Sequence, residues 1–453
     1  MKMPLNRLLF IFLLAGLCCG SPGLLAAEEN TPPVVLIHAG HLLAQPGQKP
    51  LARQSVVVRG RHIESVHEGF RSAESLGLGT AVVVDLSGQF LMPGLLDAHV
   101  HLTTEPRPGG TEKALNATDA DLAIIAAVNA ERLLRAGFTT VMDMGTGSRS
   151  HEKAIYAVRD GIKTGLIPGP DVLAAGSPIS ATGASRSQRF NDELEAVLGP
   201  EGVCSGAAAC RDAVREQIAR GADFINFYNT GSLLSENSPA RTFTDEEMRA
   251  IIAEAHTLNR VVVADGGNTP GNAAGIDAAI RAGADIIDTV TFPGPATFEL
   301  ADAHGTYFAP HVYALHAAVG DSPETLREGS MGWLPEPILR ALWALKNLSP
   351  SAIAGYKAGV KLILAADSGV FEHGRNAHEL IEYVKLGISP ADTLAAATVN
   401  VAAAHRILDR TGTVEPGKEA DLVAFERSLI DDMEKVLNPI FVMSDGTIYL
   451  YQR

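Results

Sequence analysis

A regular alternation of short apolar runs with helical patterns fills the middle of this 453-residue chain. Strands that alternate with helices pair in parallel, and eight such units close into a barrel with the helices outside. The alternation therefore predicts an α/β fold with a (β/α)8 TIM-like barrel over residues 91–411. The eight predicted strands are Leu91–Leu96, Thr139–Asp143, Val172–Ala174, Phe224–Phe227, Val261–Ala264, Ile286–Ile287, Tyr307–Pro310 and Leu362–Ala365. The helical patterns between them include Asp119–Arg135, Ala207–Arg220, Asp245–Leu258, Ala273–Ala282 and Ala296–His304.

Short β patterns separated by glycine turns mark both ends of the chain. They occupy residues 28–90, before the predicted barrel, and return in residues 412–453. In the second of these segments Asp445-Gly446 stands between apolar residues, which is a strong signal for a β-hairpin. We therefore expect one small β-sandwich, built from both chain ends, beside the barrel.

Residues 1–27 have the composition of a secretory signal peptide. Lys2 and Arg7 supply a basic start, and Leu8–Cys19 is an apolar run that is too short to span a bilayer. We expect cleavage near Ala27 and a periplasmic or secreted protein without a stable membrane span. A lipidated cysteine in the apolar run is the alternative, but neither cysteine there follows the small residue typical of such sites.

Cys204 and Cys210 are the cysteines that remain after the signal peptide is removed. Disulfides form in oxidising compartments, so two cysteines this close in the sequence of an exported protein predict a local disulfide. Two free thiols are the alternative. A metal site is disfavoured because no histidine or further cysteine lies nearby.

The segment Asp97–His101, with the sequence DAHVH, follows an apolar run that contains Pro93-Gly94. Residues two apart on a strand face the same way, so His99 and His101 point to one side. Two neutral imidazoles at this spacing are able to bind one metal ion. The spacing by itself is equally compatible with two structural histidines.

Longer blocks of sequence around this motif resemble the amidohydrolase superfamily, the metal-dependent hydrolases. The nearest branch is that of the imidazolonepropionase-like and Xaa-Pro dipeptidase-like enzymes. The resemblance covers nearly all of the mature chain, and it implies a barrel flanked by strands from both ends and hydrolysis of C–N bonds. The blocks that carry it are Pro93–His101, Arg135–Val141, Thr244–Ala250, Ala365–Gly369, His373–Gly374, Ala396–Thr398 and Gly412–Val423.

The resemblance also implies a first metal site. In such enzymes one ion is bound by the His-x-His pair and by an aspartate of the eighth strand, and these positions are His99, His101 and Asp367. Asp367 would in addition act as the catalytic base, taking a proton from water and passing it to the leaving nitrogen. All three residues of the first metal site are therefore present.

The residues that bind a second metal ion in these enzymes are replaced. Asn226 stands where a carboxylated lysine would bridge two ions, while Asp265 and Thr289 stand where two histidines belong. We therefore expect one divalent ion, with zinc favoured and manganese or iron as alternatives. Asp265 is either a fourth ligand or a polar residue at a strand end that binds the glycine amides after it.

Further polar residues follow predicted strands, where a barrel forms its active site. His311 follows the seventh strand and is a candidate to polarise a substrate carbonyl, with a buried structural histidine as the alternative. Tyr228, Asn226 and Arg186 are candidates for substrate binding, and packing or solvent-exposed roles are their alternatives. We expect His316 on a loop beyond the seventh strand.

The sequence thus predicts an exported metal-dependent amidohydrolase that cleaves an amide-type C–N bond in a small amide, cyclic amide or dipeptide. The alternative is an inactive protein of the same fold that binds a ligand, because several positions near the chemistry depart from the family's pattern. The net charge of −15 opposes binding to nucleic acid, which needs a basic face. A small-molecule substrate is the expected partner, and a homo-oligomer is compatible with the sequence.

Overall fold

A computed structural model describes the protein over residues 33–104, 116–145, 151–183, 202–231, 240–266, 272–288, 293–319, 346 and 348–452. The predicted signal peptide and two of the residues singled out above, Arg186 and Thr289, lie outside these ranges. Within the described ranges, no helix combines the length and the hydropathy that are needed to cross a bilayer.

The described strands and helices follow one another in the order that the alternating sequence pattern predicts. The strands are β1 (Val34–Leu42), β2 (Leu51–Arg59), β3 (His62–Glu68), β4 (Val82–Pro93), β5 (Leu95–Val100), β6 (Phe138–Asp143), β7 (Asp171–Ala174), β8 (Ser180–Ala181), β9 (Val203–Cys204), β10 (Ile225–Tyr228), β11 (Val262–Asp265), β12 (Ile286–Asp288), β13 (Tyr307–Ala309), β14 (Leu422–Phe425), β15 (Phe441–Ser444) and β16 (Thr447–Tyr451). The α-helices are α1 (Asp119–Arg135), α2 (His151–Lys163), α3 (Ala207–Arg220), α4 (Asp245–Thr257), α5 (Ala273–Ala282), α6 (Pro295–His304), α7 (Val312–Val319), α8 (His378–Leu386), α9 (Pro390–Ala396) and α10 (Val399–Ala404). A 3-10 helix spans Met433–Leu437.

Capping residues set where several of these helices begin and end. Thr118 precedes α1 and forms a capping box with Asp121, and Thr244 forms the same arrangement with Glu247 before α4. Each box satisfies backbone N–H groups that a helix start leaves without a partner. Gly283 ends α5 in the left-handed conformation that glycine adopts at little cost. These residues therefore fix where the helices begin and end.

Seven strands from both ends of the chain form one sheet, in the order β16-β15-β14-β4-β1-β2-β3. Strand β4 joins the two ends, because it pairs in parallel with β1 and antiparallel with β14. The predicted hairpin at Asp445-Gly446 connects β15 to β16, and both residues have the positive φ that a type I′ turn needs. That hairpin is confirmed, while the two-layered sandwich stays a prediction.

Parallel strands occupy the middle of the chain, as the α/β prediction requires. One sheet has the order β5-β6-β7 and another the order β10-β11-β12-β13, and every pair within them is parallel. Their residues are almost entirely buried, since helices follow the strands and cover them. The α/β character of this region is therefore confirmed.

Backbone hydrogen bonds also join these two parallel sheets. Asp223, just before β10, donates to the carbonyl of Ala174 at the end of β7 at 2.8 Å. On the other side the segment 361–368 exchanges backbone hydrogen bonds of 2.9 to 3.0 Å with Phe308 of β13 and Ala98 of β5. The carboxyl ends of strands from both sheets consequently face one common region.

Most strand bounds differ from the predicted ones by a single residue, and larger differences occur at two places. Leu91–Pro93 belongs to β4, where it pairs with β14, so the strand that carries the histidines begins only at Leu95. The sequence does not reveal this break because both strands are apolar and only Gly94 separates them. Within the predicted strand Leu362–Ala365, an assigned β-bridge is formed by Leu362 alone.

The predicted disulfide between Cys204 and Cys210 is confirmed. It joins β9 to the first turn of α3, and the two Cα atoms lie 5.0 Å apart. Both residues are buried in the same apolar cluster as the parallel strands β10 and β11. The bridge therefore stabilises a local connection far in sequence from the histidine motif.

Candidate metal centre

Three imidazoles and two carboxylates converge at the carboxyl ends of the parallel strands. Strand β5 carries His99 and is followed by His101, while β12 ends on Asp288. His311 follows β13, and Asp367 lies in the segment that bonds to β13 and β5. Strands that run in parallel bring their carboxyl ends to one edge, which explains how residues so distant in sequence meet.

Three of these side chains form a compact set of potential ligands. His99 Nε2 lies 3.0 Å from His101 Nε2, and Asp367 Oδ1 lies 3.4 and 3.3 Å from these two nitrogens. Tetrahedral zinc with bonds of about 2.0–2.1 Å separates neighbouring ligand atoms by about 3.3 Å. The three predicted ligands therefore fit a divalent ion and leave further coordination positions for water or substrate.

Asp367 reaches this set through an uncommon backbone conformation. Its φ is +60°, in the left-handed region that few residues other than glycine adopt. The Asp367 N–H donates to the carbonyl of His99 at 2.9 Å and so holds the turn against β5. Backbone strain of this kind is concentrated at functional sites. The conformation is therefore consistent with a functional role for the carboxylate.

Asp288 forms a second set with two of the imidazoles. Its Oδ2 lies 2.5 Å from His99 Nδ1, and its Oδ1 makes a very short contact with His311 Nε2. All three side chains are at most 5% exposed. Since an ionised carboxylate only accepts hydrogen bonds, both facing nitrogens carry the proton. The first contact is a hydrogen bond and the second a close ion-pair contact, and both are shorter than the spacing of ligand atoms around one metal ion.

The second oxygen of Asp367 faces a different neighbour from the first. Asp367 Oδ2 lies 3.7 Å from His311 Nδ1. Burial alone would raise the pKa of Asp367, but the surrounding imidazoles outweigh it and hold that pKa well below its usual range. Burial opposes a charge on His311, whereas Asp288 and Asp367 raise its pKa well above the usual value. The two groups thus form an acceptor and a donor side by side.

Asp97 supports the site from behind as the first residue of the histidine motif. Its Oδ1 accepts the backbone N–H groups of His99 and Ala366 at 3.0 Å, and its Oδ2 accepts the Asn376 amide at 2.6 Å. Complete burial raises the pKa of Asp97 to about 6 against these hydrogen bonds. The carboxylate ties the end of β5 to the backbone just before Asp367.

Tyr228, Asp265 and Asp288 end three adjacent strands in register. Burial, together with the nearby carboxylates of Asp265 and Asp367, raises the pKa of Tyr228 above its usual range, so its hydroxyl keeps the proton. Among the described residues, Asp265 belongs to neither compact group of potential ligands. Its role as a fourth ligand stays a prediction, as does substrate binding by Tyr228.

The remaining sequence candidates lie in different surroundings. Asn226 is 2% exposed, and its amide donates to the carbonyl of Met144 at 3.2 Å, so its contact with substrate stays a prediction. His316 lies in α7 and pairs with Glu382 at 3.1 Å. The prediction of a loop there was wrong, because α7 begins directly after His311.

Sequence reasoning misses two buried carboxylates beside the site. Asp288 directly follows the predicted strand Ile286–Ile287, and an acid at the end of an apolar strand is the signal that could have identified it. Glu379 of α8 accepts the N–H groups of Val312 and Tyr313 at the start of α7, and burial raises its pKa to about 8. An acid on an amphipathic helix gives no comparable signal.

Comparison with known sequences identifies related proteins over nearly the whole chain. The sequence model described as "Amidohydrolase family" matches residues 90–449. An ochratoxinase of Aspergillus niger is 28% identical over 440 residues, which cover 92% of this chain and 86% of the ochratoxinase. An imidazolonepropionase of Thermoplasma volcanium is 29% identical over 128 residues, covering 27% of this chain and 30% of that protein.

Solved structures resemble the chain over a similar length. A Xaa-Pro dipeptidase with bound methionine superposes with a TM-score of 0.80 at 29% identity, covering 92% of this chain and 100% of the dipeptidase. The crystal structure of the A. niger ochratoxinase superposes with a TM-score of 0.79 at 24% identity, covering 93% of this chain and 97% of that one. At that identity the second likeness concerns the fold alone.

Proposed function

The chain belongs to the amidohydrolase family, and we propose that it hydrolyses an amide-type C–N bond in a small amide, cyclic amide or dipeptide. The observation that carries the proposal is the set of three ligand atoms on His99, His101 and Asp367, spaced 3.0 to 3.4 Å apart. Enzymes of this family are typically metal-dependent, and the resemblance to an ochratoxinase and to a Xaa-Pro dipeptidase supports an amide or peptide substrate.

His99, His101 and Asp367 would hold one divalent ion, for which zinc is the favoured choice. When bound, such an ion acts as a Lewis acid that polarises a carbonyl oxygen and lowers the pKa of water. The binding of a single ion is supported by the buried Asn226, whose amide cannot form the carbamate of a bridging lysine. Asp265, which stands where a histidine would belong, supports it too.

Asp367 and His311 would have separate roles in the reaction, proton transfer and charge stabilisation. The Asp367 carboxylate takes a proton from the attacking water and returns it to the leaving nitrogen. His311, whose Nδ1 lies 3.7 Å from Asp367 Oδ2, donates an N–H toward the substrate carbonyl as negative charge develops on its oxygen. The protonated hydroxyl of Tyr228 is a further donor on the same edge of the sheet.

We also infer that the parallel strands close into one eight-stranded barrel. Its members would be β5, β6, β7, β10 to β13 and the segment 361–368. The backbone hydrogen bonds that join β7 to Asp223 and the segment 361–368 to both Phe308 and Ala98 support this closure. The site would then lie at the carboxyl-terminal mouth of the barrel, where such folds place their chemistry.

Export remains part of the proposal, on the strength of the signal-like residues 1–27. A disulfide between Cys204 and Cys210 is consistent with an oxidising compartment. Cleavage near Ala27 would yield a periplasmic or secreted enzyme. The proposed partner is a small-molecule substrate, and a homo-oligomer stays a prediction.

A hydrolysis assay on zinc-loaded protein tests the proposed function. The panel consists of Xaa-Pro dipeptides, N-acyl amino acids, cyclic amides and ochratoxin, and the released amine or acid is quantified. We expect turnover of at least one compound, loss of turnover with a chelator, and recovery when zinc is restored. Asp367→Asn should retain a folded chain and lose turnover by about 100-fold or more, because the proton acceptor is removed.

Three outcomes of this assay would contradict parts of the proposal. Turnover that persists in the chelated protein would remove the metal ion from the mechanism. Tight binding of a panel compound without any turnover by the zinc-loaded protein would favour the inactive ligand-binding alternative. Full activity of Asp367→Asn would show that Asp367 is not the base.

A further inference from the structure

Asp288 is a buried carboxylate shared by two imidazoles that have different tasks in the proposed reaction. Its side chain is 2% exposed, and it contacts His99 through Oδ2 and His311 through Oδ1. His99 belongs to the ligand set, whereas His311 faces Asp367. Removing Asp288 would therefore affect two imidazoles at once.

The contact with His99 determines which ring nitrogen is free to bind an ion. The carboxylate requires a donor, so the proton of the neutral ring sits on Nδ1 and the lone pair on Nε2. Nε2 is the atom that lies 3.0 Å from His101 Nε2 and 3.4 Å from Asp367 Oδ1. The hydrogen bond thus holds His99 in the tautomer and ring orientation that the ligand set needs.

The contact with His311 has a parallel consequence. Its Nε2 lies against Asp288 Oδ1 in a close ion-pair contact, and the ring then presents Nδ1 toward Asp367 Oδ2. The His99 and His311 rings meet edge to face, with centroids 4.6 Å apart, so neither ring is free to turn without displacing the other. One carboxylate consequently fixes the orientation of both rings.

We propose that Asp288 is a positioning residue that holds His99 in its metal-binding tautomer and His311 in its donor orientation. The inference rests on the proposed function for the role of His311, but its effect on metal affinity needs no substrate. Asp288 is not itself a ligand in this account, because its 2.5 Å distance to His99 Nδ1 leaves no room for an ion between them.

The first test measures zinc affinity of the apo protein by competition with a chromogenic chelator. Asp288→Asn keeps the side-chain shape but offers one acceptor and one donor, so it satisfies only one of the two imidazole N–H groups. We expect zinc affinity to fall about 10- to 100-fold, as for other partners of metal-bound histidines. Asp285→Asn is the matched control, since Asp285 precedes the same strand and pairs with His256 at 2.8 Å.

A double-mutant cycle separates the two arms of the proposal. In a His311→Ala background the single acceptor of an asparagine is free to serve His99, so the cycle uses Asp288→Ala, which offers no acceptor. This variant should still lower zinc affinity by the same factor as in the wild-type background, because that arm acts through His99. At saturating zinc, however, it should lower kcat no further than His311→Ala alone does, because the second arm has already been removed. If the fold losses in kcat of the two single variants multiply in the double variant, the proposed effect of Asp288 on His311 is wrong.

Two results would overturn the inference about His99. The first applies when the wild type binds zinc. It is a zinc affinity of Asp288→Asn that equals the affinity of the wild type or of Asp285→Asn. The second result is measured on the wild type alone, so it is obtained even if the Asp288→Asn variant does not fold. In the zinc-loaded, 15N-histidine-labelled chain, His99 (assigned through His99→Asn) should carry its proton on Nδ1, and a protonated Nε2 would refute the proposal. Failure of the wild type to bind zinc would overturn this inference and the proposed function together.

Discussion

The two carboxylate oxygens of Asp367 face different histidines. Oδ1 faces the nitrogens of His99 and His101, while Oδ2 faces His311. The positive φ of Asp367 is followed by Gly369 with φ +115°, where a Cβ atom would lie 2.9 Å from the His101 Cβ. The tight turn therefore leaves room for the ligand set only with a glycine at that position.

A further prediction concerns Asn226, which stands where the resemblance places a bridging lysine. Asn226→Lys restores the residue type that is carboxylated in related enzymes, yet Asp265 and Thr289 still offer no imidazoles for a second ion. We therefore expect the variant to bind about one zinc per chain, as the wild type does. Metal analysis after equilibration with excess zinc and bicarbonate checks this, and two ions per chain would show that a single residue controls the second site.

The loops after strands β6 and β7 approach each other closely near the candidate metal centre. Gly145 has φ +75°, and a Cβ atom there would lie 1.8 Å from the carbonyl oxygen of Gly176. Its N–H also donates to Asp143 at 3.0 Å. Gly165 has nearly the same φ, +71°, but no atom lies within 4 Å of its would-be Cβ. The two glycines thus share nearly the same φ and differ in how crowded their surroundings are.

This pair makes a matched test of the contact between the two loops. Gly165→Ala incurs only the left-handed cost of about 1–2 kcal/mol. Gly145→Ala incurs that cost together with about 1–3 kcal/mol for the overlap, so its melting temperature should be the lower of the two. Thermal unfolding of both variants beside the wild type measures the difference. Equal melting temperatures would mean that the two loops move apart without a measurable loss of folding stability.

The helices and the histidine pair could be predicted from sequence because their signals are local. Helices α1, α3 and α5 have the predicted bounds, since their apolar spacing lies within the segments and their capping residues lie directly beside them. The spacing of His99 and His101 is local in the same sense. Asp288 acquires its role only where β12 ends beside residues from β5 and β13, and this juxtaposition has no signature in a single sequence.

At the scale of the whole molecule, Asp421 lies where the two ends of the chain meet. It precedes β14, and its backbone carbonyl accepts the N–H of Gly94. Its carboxyl group accepts the backbone N–H of Asp445 at 3.0 Å and the hydroxyl of Thr411 at 3.1 Å. Complete burial raises its pKa from 3.8 to about 7, and nearby acids add to the shift. The folded protein consequently holds a proton there that the unfolded chain releases.

The sign of the resulting pH dependence follows from linkage. Between about pH 4 and pH 7 the unfolded state binds fewer protons at this site, so raising the pH destabilises the folded state, by at most about 1.4 kcal/mol per pH unit. Asp421→Asn mimics the neutral acid and lacks this pH-dependent contribution to the free energy of unfolding. Its melting temperature should be close to the wild type near pH 4 and rise relative to the wild type toward pH 7.5. A difference that stays constant with pH would contradict the raised pKa.

We expect His99, His101 and Asp367 to bind a single catalytic metal ion, and ICP-MS is used to measure the metal content of the protein. The mature wild-type protein is loaded with zinc, manganese or iron, desalted, and compared with a His99→Asn/His101→Asn double variant. About one ion per wild-type chain and almost none in the variant is the expected result. No bound ion in the wild type, or the same content in both proteins, would contradict it.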